Sequence, residues 1–229
     1  MPDLRWEDGV PVSAEFDDPY YSRADGLAET RHVFIAGNDL PARWAGAEAF
    51  RIAELGFGTG LNFCAAWQAW EASGETGHLH FTSFEMYPLE PSAIEAALRV
   101  WPELDPYRER LVAAWSSEGG TLTFGNVSLT VIIGDARETL PKWQGKADAW
   151  FLDGFAPSRN PAMWEESLLS AVAEASAPDA TLATYTVAGF VRRGLAAAGF
   201  TLEKRSGFGT KREMLTGNLK ICDSSVDGV

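Results

Sequence analysis

Residues 50–73 read FRIAELGFGTGLNFCAAWQAWEAS: an apolar run, five residues holding three glycines, then a helical pattern. A strand that becomes a helix across so short a joint must send its chain over one face of a sheet. The next strand then lies parallel to the first. Glycines at such a joint let the backbone take positive φ and approach a ligand closely. The helix that follows aims its free N–H groups at the same place. Few folds other than a doubly wound α/β sheet make use of this junction.

The rest of the chain repeats the alternation. HLHFTSFE is a second strand, and PSAIEAALRVW and YRERLVAAW form a helical pair. TLTFGNVSLTVIIGD reads as a hairpin turning at Gly125 and Asn126. DAWFLD is the next strand. NPAMWEESLLSAVAEA is the next helix, with Pro161 near its first turn. TLATYT, VAGFVRRGLAAAG and FTLEKRSGFGTKREMLTG then predict a strand, a helix and an antiparallel strand pair. The fold expected for residues 49–217 is a mostly parallel sheet with helices on both faces. Residues 1–48 lack periodicity and read as an irregular extension with short strands, packing on that domain. Residues 218–229 read as a polar, disordered tail.

Composition narrows the functional classes. No apolar run reaches the roughly 18 residues of a membrane span. The N-terminal MPDLRWEDGV is not a secretory signal. Two cysteines, Cys64 and Cys222, make no disulfide framework and point to a reducing cytoplasm. His32, His78 and His80 show no metal-ligand spacing, so no metal is expected. The net charge of −13 argues against nucleic acid when taken alone. It is uneven, however. Residues 1–40 hold nine acids and three bases, whereas Arg192, Arg193, Lys204, Arg205, Lys211, Arg212 and Lys220 face only Glu203 and Glu213 between residues 189 and 220. That segment is either a local basic face or an ordinary solvated surface.

The glycine joint spells E-x-G-x-G-x-G from Glu54 through Gly56, Gly58 and Gly60. It lacks the dinucleotide spacing G-x-G-x-x-G and the Walker lysine. It has the pattern of Rossmann-like, class I S-adenosylmethionine-dependent methyltransferases. Those glycines, with Glu54 and Asn62, are the first candidate cofactor contacts. Glu85, ending the second strand beside Met86, suits the two ribose hydroxyls; a solvated strand-end acid is the plainer role. Asp135, beside Ala136, suits an adenine amino group, or simply caps the helix ARETL. Asp153 ends the strand expected beside the first one, where a donor methyl group would sit. A turn acid satisfied by backbone amides is the alternative. Phe155 could stack on a planar base, and Pro157 and Pro161 would stiffen the loop. DDPYY and ETRHVF in the extension read chiefly as surface loops packing on the core, with a cap over the cofactor pocket as the other reading.

Taken together, PVSAEFDDPYYSRADGLAETRHVFIAGN, ELGFGTGLNF, FEMYPL, DAWFLDGFAPSRNPAMW, TLATYTVAGFVRRGL and GFGTKREML carry a more specific likeness. Over about residues 10–217 the chain resembles the methyltransferase domain of the bifunctional tRNA 5-methylaminomethyl-2-thiouridine biosynthesis proteins. FLDGFAP-x-x-NP-x-MW and GFG-x-KREML are its most specific parts. The family's common form continues into a flavin-dependent oxidase domain, so this chain looks like a stand-alone methyltransferase version or a fragment. The resemblance implies S-adenosylmethionine-dependent methylation of the 5-aminomethyl amine on a tRNA wobble uridine. For that reaction Asp153, a carboxylate at the switch point beside the glycine loop, is the catalytic candidate, orienting the amine or taking its proton, and Phe155 is the candidate to hold the ring. The nominated tRNA contacts are Arg159, Arg192, Arg193, Lys204, Arg205, Lys211 and Arg212. The expected partners are tRNA and a separate FAD-dependent oxidase acting upstream, with the enzyme itself a monomer. Competing functions are a methyltransferase for a small-molecule or protein amine, and a non-catalytic domain that keeps the cofactor fold.

Overall fold

A computed structural model describes residues 3–219. The first strands, β1 (Leu4–Glu7), β2 (Val10–Ser13) and β3 (Asp18–Pro19), form a small antiparallel sheet. Helix α1 (Gly26–Thr30) follows, capped by the Asp25 carboxylate, which accepts from the Ala28 N–H at 3.0 Å. It continues directly into a wider π-helical turn over Arg31–Ile35.

The main unit then runs β4 (Ala49–Leu55), α2 (Leu61–Ser73), β5 (His78–Glu85), α3 (Pro91–Leu98), α4 (Asp105–Ala114), β6 (Gly120–Phe124) and β7 (Val127–Ile133). It goes on through α5 (Ala136–Thr139), β8 (Ala147–Leu152), α6 (Glu166–Glu174), β9 (Ser176–Thr184), α7 (Gly189–Ala197), β10 (Phe200–Ser206) and β11 (Glu213–Leu219). Its eight strands lie in the order β10-β11-β9-β8-β4-β5-β7-β6. The five inner strands β9, β8, β4, β5 and β7 pair in parallel. The hairpin strand β6 and the final pair β10 and β11 are antiparallel. The chain leaves β4 toward β5 on one side and returns to β8 on the other. Strand order therefore reverses between β4 and β8, and a crevice opens beyond their carboxyl ends.

Side-chain alternation feeds two cores. Phe50 and Ile52 of β4 pack with Phe63, Trp67 and Leu111 from the helices on one face. Ala53 and Leu55 pack with Leu168, Val191 and Leu195 on the other. Leu27, Phe34 and Trp44 of the N-terminal segment join the first core, so that segment is continuous with the sheet domain rather than laid upon its surface.

Three local details differ from expectation. The helix expected from Asn160 is broken: Pro161–Trp164 is a 3-10 turn, the chain extends at Glu165, and α6 starts at Glu166. The buried Trp164 indole donates to the Phe155 carbonyl at 2.9 Å, which holds that turn against the preceding loop. Strand β9 ends at Thr184, leaving Tyr185 beyond the sheet. Strand β11 runs to Leu219, past the expected end of the domain at 217. The rest of the expected tail, with Lys220 and Cys222, lies outside the described residues. Within them, no helix is long and apolar enough to cross a membrane.

Candidate active site

The glycine turn is held by contacts that require glycine. Gly56 has φ +88°, and a Cβ there would stand 2.9 Å from the Asp153 carbonyl oxygen. The ends of β4 and β8 therefore touch backbone to backbone. Gly58 also has positive φ, and a Cβ there would press on the Tyr20 ring at 3.0 Å. Gly60 begins α2 without a side-chain cap, so the first N–H groups of that 13-residue helix face the crevice free for a ligand. A Cβ on Gly60 would press on the Phe57 and Leu111 side chains at 2.9 and 3.0 Å.

Glu85 locks this turn. Its Oε2 accepts from the Phe57 and Gly58 N–H groups at 2.8 and 2.9 Å, and its Oε1 from Tyr87 at 2.7 Å. A carboxylate has about four acceptor positions. One therefore remains for a ribose hydroxyl, where two had been expected. Asp135 is similarly engaged. It caps α5 through the Arg137 N–H at 2.9 Å and receives the Arg137 guanidinium on both oxygens. That hydrogen-bonded guanidinium holds the Asp135 carboxyl below its usual range. Met86 and Ala136 sit beside these acids on the same wall.

Glu54 is not a wall residue. It is fully buried behind Asn62, with Ser83 donating to it at 2.7 Å and Asn62 at 2.9 Å. Burial pushes its carboxyl well above the ordinary range, with Asp153 and Glu85 adding to the effect. Asn62 also donates to Asp153 Oδ2 at 2.6 Å. Asp153 is recessed at the floor of the crevice. Burial is the main cause raising its carboxyl to about 7; Asn62 opposes the shift and Glu29 adds to it.

These residues line a cavity of about 490 Å³, within the range of small-molecule sites. Its lip is aromatic. Phe155 stacks on Phe16 at 4.8 Å and meets Tyr20 edge-on at 5.2 Å. Tyr185, just past β9, donates to the Gly154 carbonyl at 2.6 Å. Asp18 accepts from the Ala156 N–H at 2.8 Å, and Thr30 donates to the Asn62 side-chain oxygen at 2.8 Å. The extension thus enters the site through Phe16, Asp18, Tyr20, Glu29 and Thr30, where its loops had been read chiefly as surface. Tyr185 was missed as well. Its one sequence signal was its place at the end of a parallel strand next to that of Asp153.

The basic residues are dispersed. Lys211 reaches the cavity, where it pairs with Glu29 at 2.8 Å and lies 4.0 Å from the Tyr185 ring centre. Arg159 pairs with Asp17, Lys204 with Glu213, and Arg205 with Asp39 and Glu203. Among the described residues Arg192, Arg193 and Arg212 have no carboxylate partner. Of the seven nominated cations, those three are therefore the ones left without an ion pair among the described residues.

The cavity fits a cationic ligand bearing a ribose and a flat heterocycle, as S-adenosylmethionine does. Glu29, Glu85 and Asp153 favour positive charge, the two glycines leave room for close backbone contact, and α2 offers free N–H groups. Residues 102–220, just over half of the chain, match a family described as S-adenosyl-L-methionine-dependent methyltransferase. The chain is 51% identical over 223 residues to the "tRNA 5-methylaminomethyl-2-thiouridine biosynthesis bifunctional protein MnmC" of Chromobacterium violaceum, covering 93% of this chain and 34% of that protein. It is 50% identical over 224 residues to the protein of the same name from Ectopseudomonas mendocina, with the same coverages. The chain thus spans about a third of the length of these relatives. The solved structure of MNMC2 from Aquifex aeolicus shares its fold, with a TM-score of 0.79 and 23% identity over 96% of this chain and 71% of that one. The chain belongs to the S-adenosyl-L-methionine-dependent methyltransferase family.

Proposed function

We propose that the protein methylates the primary amine of a 5-aminomethyl-(2-thio)uridine at the wobble position of tRNA, giving the 5-methylaminomethyl form. The observation that carries this proposal is Asp153, a recessed carboxylate beside the glycine turn and under an aromatic lip. That arrangement suits a flat pyrimidine with a short cationic arm. The printed names of the half-identical relatives supply the nucleoside.

S-adenosylmethionine, when bound, supplies a methyl group on an electron-poor sulfonium. An alkylamine is mostly protonated at neutral pH, so its nitrogen has no lone pair to offer until a proton leaves. Asp153, with its carboxyl near 7, can hold the ammonium and take that proton. Asn62 fixes the direction of the carboxylate. Phe155, Phe16 and Tyr20 grip the ring and keep water from the amine. Glu85 and the uncapped start of α2 hold the cofactor end. Most of the expected rate gain comes from alignment, since the methyl donor needs little activation. The base must leave its anticodon stack to enter so recessed a site. The place of work would be the cytoplasm, where tRNA resides.

The test uses labelled methyl donor with tRNA that carries or lacks the 5-aminomethyl group, followed by nucleoside analysis. Label is expected in the 5-methylaminomethyl nucleoside, and only from the first tRNA. Label entering metabolite or protein amines instead, with none in tRNA, would overturn the proposal.

A further inference from the structure

A second groove, of about 460 Å³, backs onto the active cavity. The two share one wall, the 3-10 turn Pro161–Trp164. Ala162 and Met163 line the cavity, while Pro161 and Trp164 line the groove. The groove's other side is α7, which contributes Phe190 and Arg193. Phe190 is 44% exposed, one of four large hydrophobic side chains so open to solvent among the described residues.

The charges around this groove are unusual for the molecule. Four of the seven nominated cations are tied to carboxylates, but Arg192 and Arg193 are not. Glu165, on the groove edge, is drawn toward Arg137 at 3.5 Å. Glu166 is left as the one carboxylate of the groove without an ion pair among the described residues. An exposed aromatic ring beside an unpaired arginine, here Phe190 and Arg193, is the combination that holds single-stranded nucleic acid: a base stacks and a phosphate meets the guanidinium.

We infer that the groove between Pro161–Trp164 and α7 seats a nucleotide flanking the methylated one, with its base on Phe190 and its phosphate on Arg193. The inference depends on tRNA being the substrate. A wall one turn thick lets a single strand place one nucleotide on each side. The cavity would then read the modified uridine, and the groove would hold the strand that presents it.

The experiment measures tRNA binding and saturated turnover for the full chain and for Phe190→Ala, Phe190→Trp, Arg193→Ala and Glu166→Gln. Phe190→Ala and Arg193→Ala are each expected to weaken tRNA binding about tenfold, with saturated turnover within a few-fold of the parent. Phe190→Trp should retain parental binding, and Glu166→Gln should tighten it. Arg193→Ala should also lower the salt slope of binding by about 1. Parental binding in both alanine variants would overturn the inference while leaving the tRNA substrate intact. Failure of the parent itself to methylate tRNA would show first in the parent, and would remove the substrate and the inference together. A dimer of the parent that Phe190→Ala dissolves would assign the groove to a second copy and overturn the inference as well.

Discussion

The Asn62 side-chain nitrogen stands 2.6 Å from Asp153 Oδ2 and spends its other hydrogen on buried Glu54 at 2.9 Å. Two acids that would repel each other are thus joined through one neutral amide. The Thr30 hydroxyl, donating to the amide oxygen at 2.8 Å, decides which end of Asn62 faces them. Thr30 is therefore a positioning residue, although it lies 32 residues from Asn62, at the end of α1 in the N-terminal extension.

Removing that hydroxyl should disorient Asp153 without touching it. Thr30→Val is expected to lower turnover about tenfold and stability by about 1–2 kcal/mol, from one unmade buried hydrogen bond. Thr30→Ser should restore both. Steady-state kinetics and thermal melts of the pair check this. Equal turnover in the valine and serine variants would remove the positioning role.

Asp153→Asn should cut turnover by about 10²–10⁴, the range for loss of an acid–base group. Its effect on stability should depend on pH. The folded carboxyl is raised by burial to about 7, above its unfolded value of 3.8. The unfolded chain then releases this proton at lower pH than the folded one does. The stability that Asp153 contributes is greatest below pH 4, falls as pH rises, and levels off above 7. Relative to the parent, the asparagine variant should gain about 2 kcal/mol between pH 5 and 8, roughly 4–8 °C in melting temperature. Parallel melting curves across that range would show that Asp153 ionises freely.

Glycines of the same φ class should separate by surroundings. Gly56→Ala adds a carbon 2.9 Å from the Asp153 carbonyl oxygen, a backbone atom that cannot move alone. We expect a loss of about 2–4 kcal/mol and a large fall in cofactor affinity. Gly46 also has positive φ, but a Cβ there meets nothing within 4 Å. Gly46→Ala should cost only about 1 kcal/mol and leave cofactor binding intact. Calorimetric titration with S-adenosylmethionine checks both.

Glu85→Gln keeps the shape but replaces one acceptor oxygen with an amide donor. That side chain cannot satisfy the Phe57, Gly58 and Tyr87 N–H groups together. Loss of a charge-assisted contact is worth about 1.5–3 kcal/mol, so cofactor affinity should fall about 10–100-fold. An unchanged affinity would mean that the turn is held by its other contacts.

The parallel sheet could be read from sequence because its signals are local: apolar strands, a glycine joint and helical spacing. Glu85 and Asp153 showed themselves as acids at the ends of such strands. Glu54 belongs to the same pattern, but whether its carboxylate faces a ligand or the interior depends on Ser83 and Asn62 behind it. The extension stayed obscure for a physical reason. Asp18 meets Ala156 across 138 residues, and Lys211 meets Glu29 across 182. No periodicity encodes pairings at that range. The same limit left the basic segment undecided, since counting charges between residues 189 and 220 does not reveal that Arg205 meets Asp39 from the extension.

The Gly154 and Phe155 carbonyls and the Ala156 N–H are each fastened to a different part of the molecule: Tyr185, Trp164 and Asp18. Three consecutive residues fixed from three directions make a keystone rather than a flap. The Ala156 amide should exchange its hydrogen slowly despite its place in a loop. Anything entering the cavity meets a finished surface, so the conformational work of forming the complex falls on the incoming molecule.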